Sequence, residues 1–216
     1  MKAKSVSRSR AKADSRGALF AAAARAFASR GFDGAGVDEI AAASRINKAM
    51  LYYHFKSKRG LYTAVLADMF GAVAEGVRDI PGRSATPVHK LEAFVDTIAR
   101  ACETHPHFPA IWLRELADEG RHLDPPLVPV VGGILASLAR ILEEGRRTGV
   151  FRDVHPLLVQ FGIIGPLLVF LASASARARL LEKAPVTLPP LSAGAAIAHI
   201  KAATVASVMA QTGGSR

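Results

Sequence analysis

The sequence predicts an all-α protein, with a small basic helical module first and a larger, near-neutral helical module after it. Apolar residues recur at spacings of three and four with no sustained alternation, the period of helices buried on one face. Proline is absent before Pro81 and then recurs through Pro190, at positions that punctuate helices. Positive charge is concentrated at the start: residues 1–60 hold 13 Lys or Arg against 4 Asp or Glu, whereas residues 61–216 hold 15 against 14.

With 50% hydrophobic residues in 216, the chain has enough apolar surface for a proper core, which excludes wholesale disorder. A basic first quarter on a near-neutral remainder points to a module that meets a polyanion. Nucleic acid is the leading candidate and an anionic membrane surface the rival. The single cysteine, Cys102, excludes an intrachain disulfide framework and suits a reducing compartment. Lys2, Lys4, Arg8, Arg10 and Lys12 are followed by no apolar stretch, so no secretory signal is read and a cytoplasmic location is expected.

The elements follow in order. Residues 1–13 read as a basic flexible arm, either a solvated tail or a contact to DNA. A first helix is expected from Asp14 or Ser15 to Arg30, ended by Gly31, with Phe20, Ala23, Ala24 and Phe27 inward. Short helices over Val37–Ala43 and Asn47–His54 come next and complete a module over 14–60. Ser57 caps a long fourth helix whose Leu61, Val65, Met69, Val73 and Val77 share a face, and the larger module takes 61–216. Its helices are expected over Val88–Thr104, Ala110–Glu119, Leu127–Arg147, Pro156–Arg179 and Ser192–Met209.

The stretch Leu157–Ala176 has the length and apolar content of a membrane span. Gln160, the Gly165-Pro166 break and the lack of a second such stretch favour another reading, a helix covered on one side by its own core and on the other by a partner subunit. No membrane partner is expected.

Two short helices joined by about three residues, the second polar and aromatic on its outer side, are the geometry that places a helix in the DNA major groove. Phe27, Phe32, Val37, Ile40 and Ala41 form an apolar platform, and Ile46, Leu51 and Phe55 anchor the reading helix to it. Asn47, Lys48, Ala49, Tyr52 and Tyr53 then face outward. Lys48 suits guanine O6 or N7 or a phosphate, the tyrosines offer a ring and a hydroxyl, and Ala49 permits close approach.

The run Asn47-Lys48-Ala49-Met50-Leu51-Tyr52-Tyr53-His54-Phe55-Lys56-Ser57-Lys58, preceded by Gly31-Phe32 and Val37-Asp38-Glu39-Ile40-Ala41, resembles the N-terminal domain of the TetR (tetracycline-repressor) family. The resemblance covers residues 15–61 or so. It implies base or base-proximal contacts from Lys48, Ala49, Tyr52 and Tyr53, and phosphate contacts from His54 and Lys58. It also implies a helical C-terminal domain that dimerises and binds a small effector, hence a homodimeric repressor released from a palindromic double-stranded DNA site, with activation as the alternative sign. The family usually carries Ser or Thr where this chain has Ala35-Gly36, and Gly in the turn where it has Ser44-Arg45-Ile46. Glu39 is placed to complete a capping box at Gly36, and Arg45 must take an unfavourable backbone angle or a modified turn and is offered to a phosphate.

Phe108, Trp112, Phe161 and Phe170 are candidates for an effector pocket between helices, with Glu115, Arg114 or His107 as its polar handle. The dimer seam is expected over 156–179 and 192–209. Cys102, His105 and His107 lack a fourth distant ligand, so no metal or other cofactor is expected. No nucleophile elbow or paired carboxylates appear, and no enzyme is expected.

Overall fold

A computed structural model describes residues 2–185 and 188–210, with side chains from residue 14 onward. Helices α1 (Lys2–Gly34), α2 (Val37–Ser44), α3 (Lys48–Phe55) and α4 (Lys58–Arg78) are followed by α5 (Pro87–Thr104), α6 (Phe108–Ala117) and α7 (Val128–Arg147). The order closes with α8 (Pro156–Ala172), α9 (Ala174–Lys183) and α10 (Ala193–Val208). Among the described residues the only extended pairing is an isolated bridge between Phe151 and Met209.

Helix α1 reaches back to Lys2 instead of starting at Asp14 or Ser15. Neither proline nor glycine interrupts residues 2–16, and their Ala, Lys and Arg are good helix formers, so the backbone expected as an arm continues the helix. The break falls at Gly31, where φ of 72° and ψ of −176° leave helical space, a conformation a side chain would oppose. Leu19, Ala22, Ala23 and Phe27 are its buried face, with Phe20 and Ala24 only partly covered.

Helix α4 is the spine. All five of its expected apolar positions are buried, together with Tyr62, Leu66 and Phe70, and it packs on α1, α5 and α7. One core therefore runs through both modules, from Leu19 in α1 to Val208 in α10. By length and composition the segments Lys58–Gly82 and Pro125–Arg147 are apolar enough to cross a membrane, and here α4 and α7 pack against one another inside the bundle.

The ion pair of Lys90 with Glu144, at 2.7 Å, ties α5 to α7, and Lys90 also donates to Pro81 O at 2.9 Å. Lys201 joins α10 to α5 through Asp96.

The expected single helix over Pro156–Arg179 is two. Pro166 lies inside α8 without ending it. The chain instead bends by 66° at Ser173. There Arg177 stacks on the Phe170 ring at 3.9 Å and donates to Ser173 Oγ and to Phe170 O, a carbonyl that a continuing helix would otherwise use.

Candidate nucleic-acid interface and effector cavity

The turn between α2 and α3 is built without glycine. Arg45 takes the left-handed conformation, φ 57° and ψ 27°, and its N–H donates to Ala42 O at 3.1 Å. Such a residue costs about 1–2 kcal/mol relative to glycine. Ser44 helps hold the turn, its hydroxyl donating to Ala41 O at 2.8 Å and accepting from Ile46 N at 3.3 Å. At the start of α2 Gly36 makes no side-chain cap, and Glu39 does not complete a capping box but pairs with Arg30 of α1.

Asn47 is itself the cap of α3, its Oδ1 accepting from Ala49 N at 2.9 Å. Leu51 and Phe55, one turn apart, are buried, and Ile46 is half-buried beside them. Their anchoring leaves Arg45, Lys48, Ala49, Tyr52 and Tyr53 exposed, with 43% of Tyr52 and 51% of Tyr53 open to solvent. Lys48 Nζ pairs with Asp38 at 2.7 Å, and the hydrogen bond to that carboxylate holds its ammonium above the usual lysine range. Exposed ion pairs of this kind are weak, so the pair with Asp38 does not commit Lys48 to that partner.

Two residues expected to touch phosphate are engaged within the protein. His54 is half-buried and its Nε2 lies 3.0 Å from Ser15 Oγ of α1. Lys58 Nζ donates to Asp33 O at 3.2 Å and sits 4.6 Å from the centre of the Phe32 ring. Both hold the reading helix to α1 and its connector. Sequence reasoning missed Gly60, where a Cβ would stand 2.1 Å from Phe55 O. Its absence lets α4 start close against the end of α3, where Ser57 Oγ accepts from Gly60 N.

Behind this surface lies a buried polar junction. Tyr62 Oη donates to Glu115 Oε2 at 2.8 Å, and His122 meets the same carboxylate through its N–H at 2.7 Å and Nδ1 at 3.1 Å. The Phe32 ring packs on His122 with centroids 4.2 Å apart. Arg114 donates to Ala28 O and Ser29 O, and Arg121 pairs with Asp33, so α6 and the loop after it grip the end of α1. Hydrogen bonds from Thr63 and then Arg59 hold the Asp124 carboxyl below its usual range. Glu115 and Arg114 are thus junction residues, not pocket handles, and His107 precedes α6 outside the cavity lining. The signal was present: Phe108, Ile111, Trp112 and Glu115 share one helical face, so Glu115 sits on an apolar stripe.

A cavity of about 250 Å³ opens between α4, α5, α6, α7 and α8. Phe108, Trp112 and Phe161 line it as expected. Phe170 does not, being held under Arg177. Gln160, read from the sequence only as a mark against a membrane span, lines the cavity with its Oε1 buried and without a hydrogen-bond partner. Cys102 lines it too, whereas His105 turns to Asp68 at 3.1 Å. Among the described residues no group of three or more His, Cys, Asp or Glu is placed to hold a metal ion.

A reading helix displayed on an anchored turn, with a bundle behind it that grips the same module, defines a helix-turn-helix DNA-binding regulator. Residues 19–65 match the family model described as "Bacterial regulatory proteins, tetR family", and residues 87–189 match "Tetracyclin repressor-like, C-terminal domain". The chain belongs to the TetR family of transcriptional regulators.

Among its relatives is the HTH-type transcriptional repressor NicS of Pseudomonas putida, 28% identical over 62% of this chain and 65% of that protein. Another is the HTH-type transcriptional activator FasR of Mycolicibacterium smegmatis, 40% identical over 38% of this chain and 37% of that protein. The matched segments thus span less than two thirds of either relative. In fold, the chain is similar to a putative fatty acid metabolism regulator of Clostridium perfringens, with a TM-score of 0.71 and 22% identity over 90% of this chain and 100% of that one. It is also similar to the ketosteroid transcriptional regulator KstR2 of Mycobacterium tuberculosis, with a TM-score of 0.65 and 23% identity over 91% and 95% of the two chains.

Proposed function

We propose that the chain is a cytoplasmic, homodimeric repressor that binds a palindromic DNA site and leaves it when a small molecule fills the cavity. The observation that carries this is the outward face of α3, where Asn47, Lys48, Ala49, Tyr52 and Tyr53 are exposed to solvent while Leu51 and Phe55 fix the helix beneath them. Residues 14–60 are the reading unit and 61–216 the sensing and dimerising unit. Lys48 and Tyr52 read bases, and Arg45 lies where a phosphate would run. His54 and Lys58 act by holding the reading helix in place. The repressor sign is supported by the relation to NicS, and FasR marks activation as the alternative. No catalytic role is proposed.

The seam is assigned to 156–179 and 192–209, chiefly α8 and α10, where Leu158, Phe161 and Val169 are exposed apolar residues on a helix with no charged side chain. An effector acts through α6, which presents Phe108 and Trp112 to the cavity, Glu115 to Tyr62 of α4 and Arg114 to the reading module. Displacing α6 changes the separation of the two reading helices, and a ligand that binds the displaced state better draws the population to it.

Selection of bound fragments from genomic DNA tests the proposal. Enrichment of a palindrome with half-sites about one DNA turn apart, roughly 34 Å, is expected. Binding that shows no sequence preference overturns it.

A further inference from the structure

The reading helix leaves unexplained the most basic stretch of the chain: residues 2–13 hold five Lys or Arg and no Asp or Glu. We propose that Lys4, Arg8 and Lys12 of α1, continued by Arg16, form a second DNA-contacting surface that follows the phosphate backbone beside the bases α3 reads. This rests on the reading of α3 as the DNA-reading helix.

Backbone and spacing place these residues. The backbone of α1 leaves helical space at Gly31, so the helix is continuous over the residues before it. Lys4, Arg8, Lys12 and Arg16 recur every four residues and share one face. A cation then stands at intervals of about 6 Å over about 18 Å, the length of about five base pairs of duplex. Farther along α1 the same face is the buried one. Ser15 lies about two turns after Arg8 and Leu19 about two turns after Lys12, and both are buried, as are Ala22 and Ala23. Toward its start, one face of α1 thus changes from apolar to cationic, and the change falls where α1 meets the end of α3.

That meeting point is defined by two contacts. Ser15 Oγ is 3.0 Å from His54 Nε2, and the Arg16 guanidinium lies 5.4 Å over the Phe55 ring. Tyr52 and Tyr53 are exposed just before, and Lys56, also exposed, lies 6.0 Å from the Tyr53 ring. Arg16 and Lys56 therefore carry positive charge from the reading face to the start of the basic face.

Like charges four residues apart weaken a helix, and no carboxylate within residues 2–13 offsets them. A phosphate backbone reverses the sign, because each phosphate neutralised releases a counterion. Duplex DNA is favoured over an anionic membrane because the stretch lacks the Trp, Phe or Leu face by which an amphipathic helix enters lipid. Val6 is its only apolar residue larger than alanine.

The full-length protein and the triple variant Lys4→Gln, Arg8→Gln, Lys12→Gln are compared by fluorescence anisotropy on a duplex carrying the selected palindrome and on a scrambled duplex. Each cation engaged on phosphate contributes about 0.9 to the slope of log affinity against log salt, so the variant should lose about two to three units per protomer on both duplexes. Its deficit in affinity should shrink by roughly fifteenfold to fortyfold per protomer between about 50 and 200 mM salt, with its preference for the palindrome unchanged. Lys4→Arg with Lys12→Arg keeps the charge and should keep the slope. The reversal Lys4→Glu, Arg8→Glu, Lys12→Glu should weaken binding beyond the triple glutamine variant.

An unchanged slope in a triple variant that still selects the palindrome overturns the basic face as a DNA contact and leaves the reading of α3 intact. Loss of palindrome preference in that variant also overturns it, because phosphate contacts carry no sequence. A variant that keeps its DNA slope but loses binding to phosphatidylglycerol vesicles makes the surface one for lipid and overturns the proposal. If the unsubstituted protein prefers no sequence, the reading of α3 fails, whereas a slope lost by the variant on the scrambled duplex would still support the phosphate surface.

Discussion

Tyr62 on α4 donates a 2.8 Å hydrogen bond to the buried carboxylate of Glu115 on α6, and so joins the spine of the molecule to the helix that walls the cavity. Both side chains lie in the interior, where a polar group that loses its partner costs more than the bond itself gains. Tyr62→Phe keeps the ring against Phe27 and Phe32 but removes the donor. It should lower stability by about 1–3 kcal/mol in denaturant unfolding and alter the concentration of effector that releases DNA. Unchanged values of both would show that the bond is incidental.

Lys48→Ala and Tyr52→Ala should each weaken binding to the selected DNA by about tenfold to a hundredfold and broaden its sequence preference. Asp38→Asn should act in the opposite direction, because it removes the carboxylate that pairs with Lys48. A titration by fluorescence anisotropy at fixed salt measures all three. Tighter binding by Lys48→Ala would remove Lys48 from the reading surface.

Gly60→Ala places a methyl 2.1 Å from the Phe55 carbonyl, and backbone has little freedom to yield. The expected cost is about 1–3 kcal/mol, with loss of DNA binding as α3 and α4 are pushed apart. Trp112 emission should be unchanged, since the cavity it lines is in the other module.

Alkaline stability should fall in a defined window. The Cys102 thiol ionises near 9 in the unfolded chain and is pushed up to about 12 by burial in the fold. The native state therefore holds the proton longer. Its contribution is complete below about pH 9 and is lost as the pH rises toward 12, by at most about 1.4 kcal/mol for each pH unit. Cys102→Ala should flatten the stability profile through that range, and the thiol should react slowly with disulfide reagents at pH 8.

Val169→Glu puts a charge on the exposed side of α8. Sedimentation should show monomers, and DNA binding should lose its cooperativity. A dimer that persists would move the seam away from α8.

The reading module was legible from local pattern. Leu51 and Phe55 one turn apart, and Tyr52 and Tyr53 on the opposite side, follow from helical period and residue chemistry within a dozen positions, whereas Asn47, read as an outward residue of the helix, is its cap. The α-helical order was legible for the same reason, as was the wall formed by Phe108, Trp112 and Phe161. Where a residue's role depends on a partner far along the chain, local pattern was silent. His54 turns to Ser15, 39 residues away, and Lys58 to the Asp33 carbonyl, 25 away.

By itself, then, the sequence determined that this chain folds into helices, which of them follows the turn of the helix-turn-helix and which side of that helix is outward. These properties arise from spacing and side-chain type within one or two turns. Only the tertiary structure decided that the chain bends at Ser173, that Glu115 joins Tyr62 and His122 at the junction, and that the cavity between α4 and α8 is lined by no charged side chain. Each is set by how helices pack against one another, and packing is a relation between distant residues that no local period encodes.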